Sequence, residues 1–452
     1  MTSTRNLGTR RRARRVFLAV IGLSAALTSG SVSAQYPDRA APAAIIAAIE
    51  DAKAPREVEA FYRSRAYRPL WIQGGAIGPE AEKVVRLIET ADLDGLDPDD
   101  YRPRALVAAS DRAADGSPQA LAKAEMLLSR RFAELARDMR RPRDMGIVYA
   151  DAQLAPRTAT MREMLEGVAT AASPSAYLDD IAWMNPIYGA IRNAALRGQN
   201  PTGDRLVRLN LDRARALPAD PGRRYVVVDA VSARLWMYEG RKVQGTMRVV
   251  VGKPSEPTPM MAGLIRYASI NPYWNIPPDL VRLRVAPGAI AQGPSFLKTK
   301  RFEALSDWSD KARVVDPASI DWAAVEAGRV EARVRQLPGP SNAMGRVKFM
   351  FPNDLGIYLH DTPEKALLRE DDRLFSSGCV RVEDAPRLAR WLFGKPVALR
   401  SKTPERRVDL PEPVPVYITY LTAAVEGDGL VFRPDVYGRD GARSGRREVA
   451  AR

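Results

Sequence analysis

The 452-residue sequence predicts an α+β protein: an all-α N-terminal domain, then a mainly β, β-sandwich-like domain interrupted by a long insertion. Two changes of pattern support this. From about Pro42 to Gly198 apolar residues recur every three or four positions, as in "AEKVVRLIETA", "QALAKAEMLLSRRFAELARDM" and "YLDDIAWMNPIYGAIRNAAL", the period of a helix with one buried face. Beyond residue 222 the period changes: "RYVVVDAVSARLWMYEGRKVQGTMRVVVGKP" is three β-branched runs parted by turn residues, with Glu239-Gly240 the clearest hairpin.

Taken in order, the chain opens with "MTSTRNLGTRRRARRVFLAVIGLSAALTSGSVSAQ": arginines, an apolar run from Val16 to about Leu27, then Val32-Ser33-Ala34. That is the grammar of a signal peptide over residues 1–34, its apolar run being shorter than the roughly 20 residues of a membrane span. The expected destination is the periplasm, by the Sec route or, given Arg14-Arg15-Val16-Phe17-Leu18, the twin-arginine route. Residues 35–200 form the helical domain, punctuated by clusters such as "DLDGLDPDDYRPR". Residues 201–222 are a linker with a short helical stretch to about Leu217, and 223–440 the β domain. Strand-like runs recur there at "LIRYASINPYW", "RVKFMFP", "GIYLH", "PVALR" and "VPVYITYLTAAV". Residues 277–338 interrupt them as a lid or capping insertion, or as a plain surface insertion. Residues 441–452 are a basic, solvated tail.

Composition excludes several classes of function. One histidine and one cysteine in the whole chain cannot build a zinc site of three or four N/S ligands, and the lone cysteine excludes an intramolecular disulfide. No metal and no cofactor are called for. The net charge of +15 falls to +9 without the six arginines of the leader. Such a surplus suits anionic envelope partners: peptidoglycan, or phospholipid head groups through peripheral membrane contact. Nucleic acid is a poor partner, because no basic run interleaved with aromatics lies outside the termini.

The two unique residues share one stretch, "YLHDTPEKALLREDDRLFSSGCVRVED". His360 closes an apolar strand, and Cys379 precedes a helix expected to begin at Asp384-Ala385-Pro386. A thiol attacks as its thiolate, and a histidine partner within hydrogen-bond reach activates it. Backbone N–H groups near Gly378 and Cys379 could hold an oxyanion, glycine allowing close approach. The residues alone leave open the alternative of an inert buried cysteine and a hydrogen-bonded strand-end histidine.

Longer strings carry a resemblance. "NPYWNIP", "RQLPGPSNAMGRVKFMFPNDLGIYLHDTP" and "FSSGCVRVEDA" resemble the YkuD-type catalytic domain of L,D-transpeptidases, in particular the large Gram-negative YcbB-like type. The similarity extends to "VVVGKPSEPTP" before them and "VPVYITYLTAAVEGDGLVFRPDVYGRD" after them, and "FYRSRAYRPLW" and "DLDGLDPDDY" resemble that type's N-terminal scaffold. The resemblance implies Cys379 as nucleophile, His360 as general base and Gly378 in a backbone oxyanion hole. It implies further that Arg381 binds a stem-peptide carboxylate bidentately. Tyr358 and Trp274 would line the donor cleft, or serve as aromatics of the β core, and Ser377 would border the substrate.

The implied activity is acyl transfer between peptidoglycan stem peptides. The thiolate attacks an L-to-D peptide bond, and an amine of a second stem, on diaminopimelate, resolves the thioester into a 3→3 or 1→3 cross-link. Water or a free D-amino acid are alternative acceptors, and carbapenems should acylate the same sulfur. A non-catalytic wall-binding scaffold is the rival from another class. Two departures stand out. The family usually has S-H-G-C where this chain has Ser376-Ser377-Gly378-Cys379, and the family's peptidoglycan-binding module has no counterpart here. Base catalysis needs one imidazole, so activity with altered acceptor handling is expected.

Overall fold

The computed structural model describes residues 43–198, 204–309 and 311–441. The expected signal peptide, residues 199–203 of the joint before the β half, and the tail after Gly441 lie outside the described residues.

Helices dominate residues 43–215, and their starts follow local chemistry. The longest, Pro118–Met139, has proline in its first turn and a Ser117 side chain that accepts from Ala120 N–H, satisfying a donor that the helix itself leaves orphaned. Thr160 and Glu163 form a reciprocal capping box before Met161–Thr170. The stretch "YLDDIAWMNPIYGAIRNAAL", continuous in its apolar period, is two helices: Pro174–Asp179 and Pro186–Arg197. Asn185 accepts from Tyr188 N–H and Pro186 takes the first position, so a new helix starts where the pattern ran on.

The β half wraps into a closed ring of eight strands. Neighbours in order are Val347–Met350, Leu359–His360, Val380–Val382, Lys242–Gly252, Arg234–Glu239, Arg224–Asp229, Arg406–Thr419 and Met261–Ile270, and the last pairs again with Val347–Met350. Closure leaves one interior, filled by Val226, Val249, Val251, Ile265, Val347, Phe349, Leu359, Val380 and Val382 among others. Alternate residues of each strand point the opposite way. "PVALR" is not a strand: it follows the left-handed cap Gly394 and covers the core with Val397 and Leu399 as irregular chain.

The insertion has its own core, around Ile276, Leu280, Val281, Val285, Phe296 and Val334. It also has its own four-stranded sheet, Val314–Val315, Phe302–Leu305, Arg333–Gln336 and Trp274–Ile276. The helical and β parts interlock. Val148–Tyr149 adds a parallel strand to Met261–Ile270, and Leu421 and, in the hairpin that follows it, Val425 and Leu430 pack into the helical core.

Candidate active site

Four neighbouring strands set the site. Lys348 pairs with His360, His360 with Arg381, and Arg381 with Val250, which makes one row across the ring. Because side chains two apart share a face, Tyr358 joins His360 and Cys379 joins Arg381 on the face opposite Leu359, Val380 and Val382. The strand ends therefore bring Tyr358, His360, Cys379 and Arg381 together. Val380 N–H donates to Tyr358 O at 2.9 Å and fixes the register at the cysteine.

His360 is 1% exposed. Its Nδ1 lies 2.6 Å from the carbonyl oxygen of Asp361. A carbonyl only accepts, so Nδ1 carries the proton and Nε2 keeps its lone pair. Burial, reinforced by the Arg381 charge, depresses the imidazole pKa to about 3; at neutral pH the ring is an uncharged base. Asp361 is itself held. Its carboxylate accepts from Lys365 Nζ at 2.8 Å and from Arg346 N–H at 3.0 Å. Burial pushes that carboxyl upward, but these donors outweigh it and leave the pKa below its usual value.

Cys379 is partly exposed. Desolvation pushes its thiol up, while the backbone of Tyr358 and the charges of Arg381 and Lys348 favour the thiolate. The sulfur donates to Gly356 O at 3.5 Å, and no hydrogen bond joins it to His360. The thiol and the imidazole thus both rest neutral.

The loop before Cys379 is fixed on several sides. Ser376 Oγ donates to Cys379 O at 2.5 Å, and Lys253 N–H donates to Ser376 O at 2.9 Å. Gly378 has φ +101°, a conformation that favours glycine, and a Cβ there would sit 3.0 Å from Ile357 Cδ1. Ser377 Oγ accepts from Arg284 of the insertion at 2.8 Å, and the same guanidinium nitrogen reaches Glu256 at 3.1 Å.

The remaining expected residues divide. Arg381 lies beside the pair but is ion-paired with Glu364. Tyr358 is half-buried with the Lys348 ammonium 5.8 Å from its ring centroid. Trp274 stands on the insertion's sheet opposite Gln336 and packs against that core. Sequence reasoning missed Lys348, which is buried, in the row of His360 and 3.3 Å from Glu405. It also missed Arg284 and Glu256. A lysine alternating with Val347 and Phe349 was the only local signal. Among the described residues no three of His, Cys, Asp or Glu converge as a metal site would require.

Residues 223–415 match the family model of the L,D-transpeptidase catalytic domain, and residues 56–194 match that of the Scaffold domain. A curated Haemophilus influenzae protein named "Putative L,D-transpeptidase" is 34% identical over 240 residues, 51% of this chain and 47% of that protein. The match thus spans about half the length of that relative. A solved structure described as "Structure of the Ldtfm-avibactam carbamoyl enzyme" aligns at 14% identity over 44% of this chain and 49% of that chain. Its TM-score is 0.21.

Proposed function

We propose that this chain, whose residues 223–415 match the family model of the L,D-transpeptidase catalytic domain, is a cysteine-dependent peptidoglycan L,D-transpeptidase of the periplasm. The carrying observation is the tautomer lock. Asp361 O holds the Nδ1 proton of the only histidine, which leaves a neutral Nε2 on the same face as the only cysteine.

In the first step Cys379 passes its proton to His360 Nε2, and sulfur attacks the carbonyl carbon of an L-to-D bond in a donor stem peptide. The carbonyl oxygen becomes an oxyanion at the backbone N–H groups of Gly378 and Cys379. The C–N bond then breaks, and the leaving amine takes the proton back from the imidazolium. In the second step the amine of a diaminopimelate side chain on an acceptor stem attacks the thioester. His360 takes that amine's proton and returns it to the departing thiolate, so the enzyme is regenerated and a 3→3 or 1→3 cross-link remains. Desolvation favours this sequence over a standing ion pair: it disfavours both imidazolium and thiolate at rest, so charge develops only when substrate is present. The charges of Arg381 and Lys348, each paired with a glutamate, still favour the thiolate as it develops.

Mass spectrometry of purified protein with muropeptides tests this. The expected result is a donor adduct on Cys379 whose mass identifies the bond attacked, followed by dimeric products, with both lost in Cys379→Ala. Cleaved monomers without dimers would make the enzyme a hydrolase. Wall binding with no adduct would make it a scaffold.

A further inference from the structure

Thr258 lies beneath the nucleophile loop and takes no part in the chemistry above. It is fully buried. Its hydroxyl oxygen is 2.8 Å from Gly252 N and 2.8 Å from Gly378 O. Gly252 N–H can only donate and Gly378 O can only accept, so the hydroxyl accepts from the first and donates to the second.

Gly378 O and Cys379 N–H belong to one planar trans peptide, in which C=O and N–H point in opposite directions. Anchoring the carbonyl on Thr258 therefore turns the Cys379 N–H away from Thr258. That N–H has no acceptor among the described residues. Gly378 has the conformational freedom to let this peptide turn over, which would present a carbonyl oxygen where a developing oxyanion needs a donor.

The anchor is itself braced. Arg439 Nη2 donates to Thr258 O at 3.0 Å, and the Tyr437 hydroxyl donates to Gly252 O at 2.6 Å. Arg439 lies over the rings of Tyr420 and Tyr437 at 5.1 and 4.9 Å. Gly252 permits the close turn: a Cβ there would meet Glu256 O at 2.2 Å and Thr258 N at 2.6 Å.

We propose that Thr258 is a positioning residue for acyl transfer, holding the Gly378–Cys379 peptide so that the Cys379 N–H is presented to the oxyanion. The proposal rests on Cys379 as the nucleophile of the reaction above.

Two reagents separate orientation of the donor from general damage. Iodoacetamide alkylates a thiol by displacement at saturated carbon and forms no oxyanion, whereas a carbapenem acylates through a tetrahedral intermediate. In the full chain, Thr258→Val should lose about 10- to 100-fold in carbapenem acylation rate and in kcat on a stem peptide. Its KM and its alkylation rate should stay within about twofold of wild type, and Thr258→Ser should recover most of the loss. Equal acylation by wild type and Thr258→Val would overturn the positioning role alone. A parallel fall in alkylation and acylation that serine does not rescue would also overturn it, as merely structural damage. Wild-type protein that alkylates yet acylates with neither donor would overturn the transpeptidase reading beneath it.

Discussion

Arg284 donates to Ser377 Oγ at 2.8 Å, a bond that joins the insertion to the loop of the single cysteine. The serine stands where the related family usually has a histidine, so in this chain the position serves as a junction. Arg284 also reaches Glu256 at 3.1 Å, and its side chain is 44% exposed, which screens the pair. Arg284→Ala and Ser377→Ala should each lower kcat/KM on a stem peptide by about two- to fivefold. The loss should lie mainly in KM, with faster amide exchange over Val281–Val285. Unchanged exchange in both variants would show that the junction does not hold the insertion.

Burial of His360 links the proposed general base to acid stability. Its folded pKa, near 3, lies below the ordinary value near 6.5. Between those values the unfolded chain binds a proton that the folded chain excludes. The stabilisation is therefore fully present above pH 6.5 and is lost as pH falls toward 3, by at most about 1.4 kcal/mol per pH unit. Asp229 and Glu125, buried carboxyls pushed upward by desolvation, slope the opposite way, so the decisive quantity is a difference. Urea unfolding of His360→Gln should lose less stability between pH 7 and pH 5 than wild type does. Parallel pH profiles would contradict a buried neutral imidazole.

Gly345 guards the tautomer lock. It has φ +59°, and a Cβ there would fall 2.7 Å from the backbone carbonyl carbon, Cβ and Cγ of Asp361. Something must shift, and what shifts carries the carbonyl that holds His360 Nδ1. Gly345→Ala should lower kcat about tenfold or more. Gly394→Ala is the control: its φ is +67° but a Cβ there meets nothing within 4 Å, so it should cost about 1 kcal/mol of stability and leave kcat alone. Similar kcat losses in both variants would remove Asp361 from the account.

In the helical half, Arg192 Nε lies 2.8 Å from Asp94 Oδ2 with both side chains buried. Tyr188 also donates to that carboxylate, Arg192 reaches Thr90 O at 3.2 Å, and Arg215 donates to Asp94 O at 2.6 Å. Arg192→Ala would strand a buried charge and should cost about 3–5 kcal/mol in urea unfolding. The double variant Arg192→Leu with Asp94→Leu should recover a large part. A single-variant loss under about 1 kcal/mol would show that water or rearrangement compensates for the pair.

What could be read locally was read correctly where one residue carries the signal. Glu239-Gly240 does turn the chain between two strands, and Asp384 does cap the helix Ala385–Phe393. "PVALR" failed because a short apolar run describes any chain that covers a core, and nothing within it records the lack of an edge to pair with. Thr258, Lys348 and Arg284 were missed for a different reason. Each is an ordinary residue locally, and its role comes from partners 120, 12 and 93 positions away.

By itself, then, the sequence determined the two periods of the chain, the strands' alternation of inside and outside, and the identity of the one thiol and one imidazole. Only the tertiary structure decided that Val347–Met350 closes the ring, that Lys348, His360 and Arg381 form one row, and that thiol and imidazole both rest neutral. Periodicity is a property of neighbouring residues, whereas strand register and pKa depend on which distant groups exclude water and place charge around a side chain.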